Sequence, residues 1–209
     1  MMAERSLNCP SCGASHDLSN PGIMMFLCEY CSTPIYWDKE RLAAAGQQSV
    51  LPEGFSRLYT GATGSLRKKR FVVLGRARYS FGKGFWDEWY LEMSSGSMMW
   101  LSEDNHEFSL QKEHQLEVGP FETYAPGSTL LSGKTTFMVQ ETGNAECIGI
   151  EGELPKLIEI GESYPYIDAS SLDGRYILSI EYDDDPPTVF IGRWLNYAHL
   201  SLDDEGGDW

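Results

Sequence analysis

Four of the five cysteines fall into two C-x-x-C pairs, Cys9-Pro-Ser-Cys12 and Cys28-Glu-Tyr-Cys31, separated by fifteen residues. Each pair makes a tight knuckle with both sulfurs on one side. Two knuckles together supply four soft ligands at tetrahedral corners, the arrangement of a structural zinc ribbon. One zinc per chain is therefore expected, held by Cys9, Cys12, Cys28 and Cys31. Four protein ligands leave no open position for water or substrate, so the site is read as structural rather than catalytic. The alternative is two metal-free or redox-active pairs, although a thioredoxin-type site needs only one pair at a helix N-terminus. Gly13 suits the positive φ that follows such a knuckle, whereas Ser32 and Thr33 stand after the second. His16, between the pairs, is read as a surface residue and not as a ligand.

The remaining reactive residue types form weaker patterns. Cys147 alternates with apolar neighbours in Ala145-Glu-Cys-Ile-Gly-Ile150, which reads as a buried, inert thiol. No G-x-S-x-G, H-E-x-x-H, P-loop or dinucleotide-binding glycine pattern occurs, so no nucleophile–base pair is evident. Glu151-Gly152-Glu153, with Asp168 further on, could line an acidic pocket for acid–base chemistry or for a cation such as a polyamine or divalent metal. Solvated turn acids are the plain alternative. Trp86 and Trp89 point to opposite faces of a strand, so one packs in the core and the other is free to line a groove. Arg67-Lys-Lys-Arg70, with Arg76 and Arg78, is the one basic cluster; it can pair with acids of the fold, meet an anionic surface or remain a solvated hairpin.

The formal net charge is −15 over 209 residues. Residues 1–50 carry about −2, residues 51–110 about +1 and residues 111–209 about −14. Such a surface repels phosphate backbones, so nucleic-acid binding is not expected. No apolar run approaches the ~18–20 residues of a membrane span, and no signal-peptide pattern is read. Cysteines in metal-ligand spacing suit a reducing compartment, which gives the expectation of a cytoplasmic protein.

The elements that must position these residues read as mainly β. Residues 1–37 form the zinc ribbon. Asp38 to Ala45, with Gly46 after it, reads as a short capped helix, and residues 47–54 as a linker. Residues 55–202 read as an all-β domain. Its strands include Phe71–Leu74, Trp86–Met93, Thr136–Val139, Glu146–Ile150, Arg175–Tyr182 and Thr188–Ile191, bounded by turn residues. Trp89, Leu91 and Met93 fall on one face, with Glu88, Tyr90 and Glu92 on the other. An ungapped shift of 66 residues lays Gly61 on Gly127, Thr63 on Thr129, Phe71 on Phe137, Val73 on Val139, Leu91 on Leu157 and Trp100 on Tyr166. This raises two repeats, 55–118 and 121–202, as β-barrel or sandwich units side by side; without the repeat, one larger sandwich or barrel covers 55–202. Residues 203–209 form an acidic tail, read as a frayed end.

Trp86-Asp-Glu-Trp-Tyr-Leu91, Trp100-Leu-Ser-Glu-Asp104, Glu151-Gly-Glu-Leu-Pro155 and Leu178-Ser-Ile-Glu-Tyr182 together resemble the domain of unknown function 4178 family. Cys-Pro-x-Cys-Gly, with Asn20-Pro-Gly-Ile23 before the second knuckle, resembles the zinc ribbon that members often carry. The resemblance implies a bacterial protein, but no activity and no catalytic residue. The resulting expectation is a non-enzymatic binding or scaffold module for a protein partner, with a homo-oligomer left open. The alternative is a small-molecule or cation binder, or an enzyme, using the acidic pocket.

Overall fold

A computed structural model describes residues 5–18, 20, 22–37, 42–45, 48–51, 56–105 and 107–203. The N-terminal module has five short strands: β1 (Arg5–Asn8), β2 (Ser15–Leu18), β3 (Met25–Leu27), β4 (Pro34–Trp37) and β5 (Leu42–Ala44). β1 and β2 form one hairpin, while β3, β4 and β5 pair antiparallel in order. The helix expected over Asp38–Ala45 is corrected here. Leu42–Ala44 is a strand whose register sets Ile35 against Ala44 and Trp37 against Leu42. Pairing with β4 overrides a helix propensity that is weak over so short a segment. Asp38 to Arg41 and Gly46 lie outside the described residues. The expected linker is stitched down at Ser49, whose hydroxyl donates to the Ile150 carbonyl (2.7 Å) and accepts from the Ile150 amide (2.8 Å).

The body begins with β6 (Thr63–Leu66), β7 (Lys69–Ser80), β8 (Phe85–Met93), β9 (Met98–Asp104) and β10 (Glu107–Glu113). It continues with β11 (Thr129–Ser132), β12 (Thr135–Leu154), β13 (Ser163–Ser171), β14 (Tyr176–Glu181) and β15 (Thr188–Leu195), and ends with β16 (Leu200–Leu202). The pairings run β7-β8-β9-β10-β15-β14-β13-β12 and return from β12 to β7. Eight antiparallel strands thus close a hydrogen-bonded ring. Closure leaves no unpaired edge among these eight over the shared spans. The module joins the ring where the far end of β12 pairs with β3, Glu153 against Phe26 and Leu154 against Met25.

The two halves correspond in detail. Gly61 and Gly127 both adopt positive φ, +88° and +92°. Each donates its amide to the same position one strand on, Gly61 to the Val73 carbonyl and Gly127 to the Val139 carbonyl, both at 2.9 Å. Each half then has a register shift, between Val73 and Gly75 in one and between Val139 and Glu141 in the other. Beyond that hairpin the offset changes. Phe71 pairs with Met93 and Phe137 with Ser171, so the strands after β7 and β12 are related by 78 residues. The alignments of Leu91 with Leu157 and Trp100 with Tyr166 are therefore corrected. β12 is twenty residues long against twelve for β7, because it runs on to meet the module.

Side chains alternate across this wall. Trp89, Leu91 and Met93 turn outward into a buried cluster with Phe71, Val73 and Leu101, roofed by Leu58 and by Leu200 and Leu202 of β16. The second half buries Phe137, Val139, Ile167, Leu178 and Ile180 likewise, under Leu116, Phe121 and Tyr124. The residues between face into the ring. β16 closes the edge of β6, and Asp203, expected in a frayed tail, forms an ion pair with Arg70 and accepts a hydrogen bond from Thr63. Residues 204–209 lie outside the described residues.

Candidate functional site

The ring encloses a cavity of about 290 Å³. Its lining includes six carboxylates, from Glu88, Asp104, Glu107, Glu141, Asp168 and Glu181, and the rings of Trp86, Tyr166 and Trp194. Among the described residues no lysine, arginine or histidine lines it. Strand alternation explains the set. On β8 the inward positions are Trp86 and Glu88, on β13 Tyr166 and Asp168, and on β14 Ser179 and Glu181.

Four of these acids are held by neighbouring side chains. Trp86 Nε1 donates to Glu88 Oε1 (3.1 Å), Ser179 Oγ to Asp168 Oδ1 (2.6 Å) and Tyr166 OH to Glu141 Oε1 (2.7 Å). Lys156 reaches Glu181 Oε2 from outside the cavity (2.9 Å) and also pairs with Asp183 (2.7 Å). These bonds only partly offset the loss of water and the mutual repulsion. Burial, then the Glu181 charge, pushes the Glu88 carboxyl up to about 8. Burial lifts Asp168 to about 6, with Glu141 and Glu181 adding to it. Burial also raises Glu181, against the pull of Lys156. Glu88, Asp168 and Glu181 thus form a desolvated set that concentrates negative charge and holds part of it protonated, while Asp104, Glu107 and Glu141 are exposed.

The same lining holds a neutral acceptor. Gln111 is 6% exposed and lines the same cavity. Its Nε2 donates to Ser109 Oγ (3.1 Å), and its buried Oε1 accepts no hydrogen bond.

A second arrangement lies in the N-terminal module. The four sulfurs of Cys9, Cys12, Cys28 and Cys31 all fall within 4.8 Å of one another, and all four cysteines are free of disulfides. Sγ separations are 3.7 Å for Cys9–Cys31 and for Cys12–Cys28. A tetrahedron with metal–sulfur bonds of ~2.3 Å has edges of about 3.8 Å, so the cluster can hold a metal ion. The two knuckles share one backbone pattern. Gly13 N donates to Cys9 O and Ser32 N to Cys28 O, each at 2.8 Å. Gly13 has φ +79°, and Ser32 takes the left-handed conformation in glycine's place at φ +53°. The Thr33 hydroxyl, then its amide, holds the Cys31 thiol down to about 6. His16 is not a bare surface residue: its Nε2 lies 3.3 Å from Cys28 Sγ, and its ring packs on Phe26 at 5.1 Å.

The family model described as Domain of unknown function (DUF4178) matches residues 60–197. The chain belongs to the DUF4178 family. No curated protein and no solved structure matches it. The DUF4178 span coincides with the ring, and the thiolate cluster precedes it.

The DUF4178 ring separates the pocket residues expected from sequence. Trp86 and Asp168 line the cavity. Trp89 is fully buried on the opposite face, donating Nε1 to Glu103 (3.0 Å) beneath the Arg76 guanidinium, 4.9 Å from its ring. Glu151 pairs with Arg76 (2.6 Å) on the β7–β12 seam. Glu153 pairs with β3 and is raised by burial. Neither lies on a turn, as the sequence suggested. Gly152 between them is inside β12 at φ +65°, where a side chain would strike the Leu74 carbonyl. Of the basic cluster, Arg67 to Arg70 stay exposed, whereas Arg76 and Arg78 are buried, Arg78 gripping buried Asp87 through two bonds of 2.7 and 2.8 Å. Cys147 is buried, which lifts its thiol to about 11. It lines a cavity of about 700 Å³ between the module and the ring. His106 lies outside the described residues. Sequence reasoning missed Glu88, Glu141 and Gln111 as cavity residues. Their signal was present as acids alternating with the apolar stripe, but only ring closure turns that face inward.

Proposed function

We propose that this chain is a non-enzymatic binding protein whose ring cavity takes a cationic ligand. The observation that carries the reading is that six carboxylates line one cavity whose lining, among the described residues, has no lysine, arginine or histidine. A fold that gathers like charges from both halves gains most from a cation that enters to neutralise them. Asp168, part of the acidic pocket expected from sequence, belongs to this site; Glu151 and Glu153 do not. A thermal-shift series on the full chain, with organic ammonium salts, Mg²⁺ and Ca²⁺ against NaCl at matched ionic strength, tests it. A saturable rise in Tm with at least one of these cations supports the cavity. Equal response to NaCl throughout would count against it.

The thiolate cluster supports one structural zinc per chain, since sulfur-only ligation with tetrahedral edges suits that ion. Its part is to hold the module whose β3 continues β12. Four free thiolate ligands belong in a reducing compartment, which supports a cytoplasmic location. Among the described residues no helix is long and apolar enough to cross a membrane.

A protein partner is a second reading, favoured by one asymmetry. The edge of β6 is covered by Leu200-Ser-Leu202, whereas its counterpart β11 pairs only with β12 among the described residues. Leu131 is 65% exposed there and Leu172, beside the same Thr136, is 70% exposed. An extended Leu-x-Leu segment of a partner would extend this edge as β16 extends the other. Titrating a synthetic Leu-x-Leu strand peptide against the chain and against Leu131→Lys tests this. Binding unaffected by the lysine would place the peptide elsewhere.

A further inference from the structure

We infer that the ligand of the ring cavity is a primary organic ammonium ion, held by Asp168, Glu88 and Gln111 against the rings of Trp86 and Tyr166. The inference rests on the cavity reading above and adds the chemical class.

Three observations separate this class from a bare metal ion. The first is dispersion. Among the described residues, only the four cysteines bring three or more ligand atoms within 4.8 Å of one another. The cavity therefore offers no set of three acids converged on one point, which a hard divalent cation needs. The second is the lining between the acids. Trp86 and Tyr166 meet at 5.3 Å between ring centroids, tilted by 59°. Aromatic faces attract ammonium groups and accommodate an organic body, and a bare divalent ion leaves that surface unused.

The third is the supply of acceptors. Glu88 and Asp168 each accept one side-chain hydrogen bond, from Trp86 and Ser179, and neither has an ion-pair partner among the described residues. Gln111 Oε1 is a buried acceptor with nothing donating to it. A buried acceptor left unmade is costly, so a donor within the cavity would stabilise it. An –NH₃⁺ group brings three donors and no acceptor, which complements carboxylate and amide oxygens together. The cavity, about 290 Å³, is sized for a small molecule rather than a polymer.

The test is isothermal titration of the full chain, zinc-loaded, with n-butylammonium, tetramethylammonium and Mg²⁺ chlorides at constant ionic strength. Saturable one-to-one binding of n-butylammonium is expected at pH 8, at least tenfold tighter than tetramethylammonium, which has no N–H to donate. Asp168→Asn keeps an acceptor for Ser179 and is expected to weaken n-butylammonium tenfold or more. Gln111→Met, which removes the unpaired acceptor in an apolar side chain of similar length, is expected to weaken it severalfold while the chain stays folded. Glu153→Gln, outside the cavity, should leave binding unchanged. Binding of Mg²⁺ without n-butylammonium would overturn the ammonium class and leave the cavity standing as a cation site. Equal affinity for the two ammonium ions would overturn N–H recognition. No binding by any of the three would overturn the cavity and the inference together.

Discussion

Glu88 of the first half and Glu181 of the second repel each other across the ring, and after burial Glu181 is the strongest influence lifting Glu88 to about 8. The carboxyl therefore keeps its proton in the folded chain over a range where the unfolded chain has lost it. Its ordinary value is 4.5. Between about 4.5 and 8 the folded state binds more protons, so stability falls as pH rises through that window. The slope approaches ~1.4 kcal/mol per pH unit for one proton. Tm of the zinc-loaded chain is expected to drop from pH 6 to pH 8, and Glu88→Gln is expected to flatten that drop. A wild-type Tm that rises over the same range would refute the protonated Glu88.

The same linkage runs through the ligand. A cation favours the ionised acids, so its affinity is expected to rise from pH 6 to pH 8 while proton release accompanies binding. Titrations in two buffers of different ionisation heat measure that release directly. Affinity that falls with pH would show that the cation is not meeting Glu88.

Arg78 and Asp87 are 2% and 4% exposed and make a forked pair within the ring wall. Removing one partner takes away the other's forked, closest opposite charge, although Arg76 stays 3.7 Å from Asp87, and costs up to roughly 3–5 kcal/mol. Arg78→Met and Asp87→Asn are each expected to lose about that much in urea unfolding. The double variant should recover part of the loss. A change within about 0.5 kcal/mol for either single variant would contradict the buried pair.

Gly192 sits on the β10–β15 seam, where a Cβ would overlap the Leu110 carbonyl oxygen. The neighbour is backbone and cannot rotate away. Gly192→Ala is expected to cost about 1–3 kcal/mol by forcing the strands apart. Wild-type stability in this variant would mean that the seam is looser than the ring requires.

Metal analysis is expected to find one zinc per chain, and Cys28→Ser to release it. Met25, Phe26 and Ile35 of the module share a buried cluster with Ile150 and Leu154 of β12. Loss of the metal should therefore lower Tm of the whole chain as well as loosen residues 7–37. Thiol accessibility measured with and without chelator reads both. A module that stays folded without metal would contradict the zinc reading.

Much of the fold was legible in strand patterns and turn residues. Trp89, Leu91 and Met93 read as one face of a strand because period-two alternation is local. The Gly61–Gly127 correspondence was visible because a positive-φ turn restricts residue type. Ring closure was not legible, since pairing of β12 with β7 joins residues about 70 apart, Tyr79 with Cys147 for example, and no local pattern encodes it. That is also why Glu88 read only as a residue on the face opposite Trp89, and Glu151 and Glu153 as pocket residues. Leu42–Ala44 read as helix because its partner β4 decides its conformation. The cysteine spacing needed no such help, because each knuckle is complete within five residues.

The decisive measurement is a crystal structure of the zinc-loaded chain grown with n-butylammonium at pH 8. The expected result is ligand density inside the ring, its nitrogen within about 3.2 Å of Asp168 or Glu88 and of Gln111 Oε1. A ring holding only water, with the ammonium ion elsewhere on the acidic surface, would contradict the proposed site.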